Sequence, residues 1–332
     1  MTDEQLAKYI TKCKVKNLRE TTISGYTSSL KIFQKWLNKN GLDLENLTED
    51  NIDDYTIFLK DKRLSLVTVN DRLRDVRAFI NFSTGKKWCS PLKVRLLKID
   101  EPTIYPLTDE QLAEIYDACR GGKGGNSYDK IRDYTIMRLM EETGIRMTEC
   151  TNLTVDDINM KDNCLILNKT KNHKIRYAYL TAEMKKDLKQ YFNARDAFMR
   201  RHNIKSNHLW LTSRFSRSLV GEALSPSTLQ SKLTKYGELA GIPVRVSPHT
   251  FRHTFARNYI INGGDMYTLK ELLGHSTLEM VLKYVHLYEK DRQKNYLKVM
   301  DKRERTKKKG RLKKIDGPRS RGRTGTSYPT GS

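Results

Sequence analysis

Two arginines, two histidines, a lysine and a late tyrosine lie in the second two-thirds of the chain, in an order that could break a phosphodiester without a metal ion. They are Arg146 in Thr143-Gly144-Ile145-Arg146, Lys171 in Thr170-Lys171-Asn172, and His249 with Arg252 in His249-Thr250-Phe251-Arg252. His275 follows in Leu273-Gly274-His275-Ser276, and Tyr284 in Lys283-Tyr284. A guanidinium is a fixed fork of donors that matches the non-bridging oxygens of a phosphate. A tyrosine hydroxyl can attack phosphorus and hold it covalently. A histidine can accept a proton, and a lysine can protonate a departing sugar oxygen. His249 and Arg252 are three apart, so on a helix they share a face. Pro248 suits the first turn of that helix, whose exposed N–H groups would add to an anion site.

At these residues the chain resembles the tyrosine site-specific recombinases of the phage-integrase and Xer type. The resemblance is close from about Leu107 to Tyr288 and rests on pattern alone before that. It implies that Arg146, Arg252 and His275 stabilise a charged phosphoryl transition state, with the Glu149 carboxylate orienting nearby groups. It makes His249 the base, Lys171 the acid and Tyr284 the nucleophile, forming a 3′-phosphotyrosyl link and releasing a 5′-hydroxyl. The nine-residue step from His275 selects Tyr284 over Tyr288 and Tyr296 among the 17 tyrosines. His253, beside the pair, reads as a packing or support residue. The family usually shows Gly-Lys-Gly where this chain has Thr170-Lys171-Asn172, and Lys169 and Lys174 are close rivals to Lys171. Tyr179 stands where a proline is common. The resemblance also implies that no metal, ATP or other cofactor is needed, because the phosphotyrosine stores the bond energy. It implies a homotetramer acting on two duplexes at specific sites.

Composition agrees with a polyanionic partner. The chain has 332 residues with 62 Lys and Arg against 39 Asp and Glu, a net charge of +23. Charge of that size favours nucleic acid, although other basic proteins share it. The five cysteines are scattered, with neither a CxxC pair nor a disulfide framework, as expected in a reducing cytosol. The N-terminus lacks the pattern of a signal peptide, and no window approaches the apolar length of a membrane span.

The elements that must position the reactive residues can be read from periodicity. Ile23, Tyr26, Leu30, Phe33 and Leu37 mark one face of a helix ending near Asn40-Gly41. Further helices are expected over Glu49–Lys60 and Thr68–Phe82. The latter carries Arg72, Arg74 and Arg77 away from its apolar side, as either a solvated face or DNA contacts. Lys98–Leu107, with Pro102 and Pro106, reads as an extended linker. Thr108 and Gln111 form a capping box that opens the next helix. Gly121–Gly125 reads as a flexible loop without a phosphate-loop ending. A helix from Arg132 leads to a turn at Gly144. Cys164–Asn168 and Lys174–Leu180 read as paired strands, with Lys174 and Arg176 as further DNA-binding candidates. Helices follow over Ala182–Arg200, Ser227–Ala240, from His249 onward, and over Glu289–Met300.

The expected fold is mainly α with a small antiparallel β-sheet. Residues 1–100 form a helical core-binding domain that clamps DNA, 101–107 a linker, 108–300 the catalytic domain, and 301–332 a basic, disordered tail. That tail holds 12 Lys and Arg against three Asp and Glu. The expected partners are duplex DNA and an accessory excision factor, with no membrane. The expected place is the cytoplasm of a bacterial host, in association with the nucleoid. The expected role is recombination for a mobile genetic element. The competing readings are a type IB topoisomerase-like relaxase and a DNA-binding protein that has lost catalysis.

Overall fold

The computed structural model describes residues 1–99, 105–121, 127–167, 176–213 and 220–274, with 296, 297, 300, 301 and 304. The chain divides into two compact units, Met1–Pro102 and Thr103–Ser332.

The first unit is a four-helix bundle: α1 (Asp3–Val15), α2 (Glu20–Lys39), α3 (Glu49–Asp61) and α4 (Leu66–Gly85). The expected face of α2 is buried at Ile23, Leu30, Phe33 and Leu37, and the helix stops at Asn40 ahead of Gly41 at φ +62°. Glycine adopts that left-handed turn without the steric cost of a Cβ, which is why it marks the stop. Tyr55 of α3 meets Phe33 and Trp36 of α2 edge-on or tilted, and α4 buries Val69, Leu73, Val76, Phe79 and Ile80. Periodicity placed the first helix of the bundle at α2; α1 precedes it. Thr2 and Gln5 form a reciprocal capping box, and Leu6, Tyr9 and Cys13 are buried. Tyr9 reaches Phe79 and Phe82 of α4. The segment after α4 is not a free linker up to residue 97. Buried Asn70 donates from Nδ2 to the Leu97 carbonyl and accepts the Leu97 N–H at Oδ1, both at 2.8 Å.

The second unit is helical with one small sheet. Its elements are α5 (Asp109–Gly121), α6 (Ser127–Thr143), α7 (Met147–Thr151), β1 (Ile158–Asn159), β2 (Cys164–Leu167), β3 (Arg176–Tyr179), α8 (Ala182–His202), α9 (Pro226–Leu239), α10 (Pro248–Ile261) and α11 (Met266–Leu273). The strands pair antiparallel in the order β1-β2-β3, with Leu167 opposite Arg176 and Cys164 opposite Tyr179. Helix α6 packs on α5, α8 and α10 and is buried on most sides, so its period is blurred. Its buried Asp133 accepts from Arg132, Lys232 and Tyr236, which ties α6 to α9. Such a charge is tolerable in the interior only because every approach to it is a donor. The expected capping box at Thr108 and Gln111 is formed, and the Leu107 N–H donates to buried Thr254 Oγ1 of α10.

Candidate active site

Helix α6 ends at Thr143, and Gly144 turns the chain at φ +58°. A Cβ there would come within 2.5 Å of Phe255 Cδ1 and 2.9 Å of Leu273 Cδ2, so α10 and α11 close directly onto this turn. Arg146 follows as the N-cap of α7 and is tied to its own helix. Its backbone N–H donates to Glu149 Oε2 at 3.0 Å and its Nη1 to Glu149 Oε1 at 2.9 Å, while Nη2 donates to the Gly274 carbonyl at 2.6 Å. A guanidinium has five N–H donors. The Arg146 side chain keeps 32% of its surface exposed, leaving donors for an anion.

Glu149 is nearly buried and bridges two arginines, Arg146 and Arg176. Burial alone would raise its pKa; the charges of Arg176 and Arg146 and their hydrogen bonds outweigh that and hold it below the usual carboxylate range. It is therefore an anion at neutral pH, fixed on Arg146.

Helix α10 starts at Pro248 behind a Ser247–Thr250 capping box. His249 is exposed in its otherwise buried first turn, and Arg252 is one turn on, buried to 5% exposure. Arg252 donates from Nη1 to the Gly144 carbonyl at 2.7 Å and from Nη2 to the Leu273 carbonyl at 2.5 Å. Partial burial, then the charges of Arg252 and Arg146, lower the His249 pKa, so the ring is neutral at physiological pH and able to accept a proton. His253 lies one turn from His249, with ring centroids 6.4 Å apart.

The three arginines converge on one end of one helix. The C-terminus of α11 presents carbonyls that have no partner within the helix. Arg176 takes that of Leu272, Arg252 that of Leu273 and Arg146 that of Gly274. Gly274 caps the helix at φ +62°, and a Cβ on it would sit 3.2 Å from both Arg146 Nη1 and Arg176 Cδ. The negative end of the helix dipole faces this cationic cluster. The next residue is His275.

The structure thus gathers Arg146, Glu149, His249 and Arg252. Lys171, Lys174, His275 and Tyr284 lie outside the described residues, as does most of the expected helix Glu289–Met300. Arg176, expected as a DNA-binding candidate, is 7% exposed with both Nη atoms donating within the protein. The period of two on β3 turns Arg176 and Ala178 inward and Tyr177 and Tyr179 outward. Alternation in Arg-Tyr-Ala-Tyr carried that signal, and the arginine's charge obscured it. In the first unit, Arg74 and Arg77 are exposed on α4, Arg72 is half-buried, and Arg74 pairs with Asp71. Among the described residues no group of His, Cys, Asp and Glu could hold a metal ion. No described helix is long and apolar enough to cross a membrane.

A family model described as "Phage integrase family" matches residues 106–291, more than half of the chain. The chain belongs to the phage integrase family. A second model, for the N-terminal SAM-like domain of phage integrases, matches residues 6–87, which contain α2, α3, α4 and most of α1. Among curated relatives, tyrosine recombinase XerC of Oceanobacillus iheyensis is 26% identical over 288 residues, 85% of this chain and 91% of its own length. Two solved structures share the phage integrase fold with this chain. XerH site-specific recombinase bound to a palindromic difH substrate matches at a TM-score of 0.67 and 20% identity, over 87% of this chain and 82% of that one. The Tn1549 transposon integrase in complex with a circular intermediate DNA matches at 0.67 and 18%, over 85% and 93%. Membership of this family makes the chain a tyrosine recombinase, an enzyme of DNA strand cleavage and rejoining.

Proposed function

We propose that this enzyme recombines two specific duplex DNA sites by cleaving and rejoining each strand through a 3′-phosphotyrosyl intermediate. Tyr284 attacks phosphorus, Arg146 and Arg252 hold the non-bridging oxygens, and His275 donates a further hydrogen bond. His249 takes the tyrosine proton and Lys171 protonates the leaving 5′-oxygen. The phosphodiester is conserved through both steps, so the chemistry requires no nucleotide as an energy source. The observation that carries this reading is the convergence of Arg252 and Arg146 on the carbonyls of Leu273 and Gly274, with His249 one turn before Arg252 on α10. Two fixed guanidiniums and an unprotonated imidazole are what charge stabilisation and proton abstraction at a phosphate require.

The first unit acts as the second jaw of a DNA clamp, with exposed Arg77, and Arg74 beside its partner Asp71, as candidate phosphate contacts. Four protomers act on two duplexes, in the bacterial cytoplasm and with the nucleoid, for a mobile element aided by an accessory excision factor. A nicked suicide substrate carrying the target site tests the chemistry. Wild type should form a covalent adduct resistant to denaturation, and Tyr284→Phe should bind the same DNA without forming one. An undiminished adduct in the variant would move the nucleophile, first to Tyr288. Relaxation of supercoiled DNA lacking any site would instead favour a topoisomerase, and wild type without an adduct a DNA-binding protein that has lost catalysis.

A further inference from the structure

Arg176 has no place in the reaction just described, yet it is among the most deliberately held side chains of the second unit. It is buried, one Nη donates to Glu149 and the other to the Leu272 carbonyl. Among the described residues its Nε has no hydrogen-bond partner although it is buried. A buried donor left unmatched costs roughly 1–3 kcal/mol, so the orientation that strands it must gain more elsewhere. That orientation is the one in which the two Nη atoms reach two different elements at once.

Those elements, and the strand that bears Arg176, lead to separate parts of the site. Glu149 holds Arg146 through both its backbone N–H and its Nη1. Leu272 is in the last turn of α11, three residues before His275. Arg176 itself is the first residue of β3, five residues after Lys171.

We propose that Arg176 is a positioning residue that locks the Arg146 segment, the end of α11 and the start of β3 into one register. The proposal rests on the recombinase reading of these three segments. Lysine cannot do the same work. Its ammonium keeps a charge beside Glu149, but a single point donor cannot span Glu149 and the Leu272 carbonyl as a planar fork does. Methionine removes both bonds and leaves Glu149 paired with Arg146 alone.

The test is single-turnover cleavage of the suicide substrate by wild type, Arg176→Lys and Arg176→Met, with adduct amplitude, first-order rate constant, DNA affinity and thermal melting measured on the same preparations. Misplacement of a reacting group by about 1 Å can cost on the order of 100-fold in rate. The expected result is a rate constant at least about 10-fold lower in Arg176→Lys and lower still in Arg176→Met, with DNA affinity unchanged. A role in folding alone would reduce the amplitude and the melting temperature while the active fraction kept the wild-type rate constant and affinity, and that outcome would overturn the proposal. Should Arg176→Met not fold, Arg176→Lys decides, because it retains the charge that Glu149 needs. Wild type without any adduct would instead sink the recombinase reading on which the proposal stands.

Discussion

Arg146 and Arg252 carry the same group in different surroundings, and their lysine variants should fail in different ways. Each should lose on the order of 10²-fold or more in single-turnover cleavage, the cost of removing a positioned transition-state donor. Arg252 is also buried across the Gly144 and Leu273 carbonyls. A lysine there leaves at least one of them unmatched, at about 1–3 kcal/mol, so Arg252→Lys should melt lower as well. Arg146→Lys, at a partly exposed position, should melt close to wild type. Near-normal cleavage by both variants would remove these arginines from the chemistry. His253 offers a test by pH. Burial, with the charges of His249 and Arg252, pushes it down to about 4 from an ordinary 6.5. Between those values the unfolded chain binds the proton more readily than the folded one. The associated stability is therefore fully present above about pH 6.5 and declines as pH falls toward 4. The melting temperature should drop across that window, and His253→Gln should flatten the drop. A variant whose melting followed the wild-type curve throughout would show that the acid-sensitive group lies elsewhere.

At the scale of elements, the turn between α6 and α7 is the tightest junction in the site. Gly144 adopts φ +58°, its carbonyl accepts from Arg252, and Phe255 and Leu273 cover the space a Cβ would need. Gly144→Ala should combine left-handed strain with overpacking and destabilise the protein by about 2 kcal/mol. Denaturant titration measures that cost. The same variant should slow cleavage, since the carbonyl that orients Arg252 must shift with the turn. A fully active, equally stable Gly144→Ala would mean that α10 and α11 can yield without disturbing the arginines.

Across the whole molecule, charge and organisation can be tested together. Each of the two units has its own hydrophobic core. The chain between them is pinned at Leu97 by Asn70 and at Leu107 by Thr254. The terminal segment after Asp301 holds 12 Lys and Arg and two acidic residues. Truncation after Asp301 should weaken DNA binding and reduce its dependence on salt, by about 0.9 in the log–log slope for each phosphate that the tail neutralises. Cleavage at saturating protein should persist, because every residue of the proposed chemistry precedes the cut. An unchanged slope would show that the tail does not touch phosphate.

The sequence by itself determined the helical face of α2, the capping box at Thr108, the glycine turn at 144 and the candidate catalytic residues. Each of these is local: a period, a cap or a short motif is complete within a few residues. Helix α1 was not read from the sequence, because lysines surround its narrow apolar stripe of Leu6, Tyr9 and Cys13. The sequence could not reveal that Arg146, Arg176 and Arg252 meet at the carbonyls of Leu272, Leu273 and Gly274. Those hydrogen bonds span from 21 to 128 positions along the chain. Nor could a count of charges say that one arginine of β3 faces inward. Tertiary structure decided both, because a buried cation must find fixed acceptors, and the unpaired end of α11 provided them.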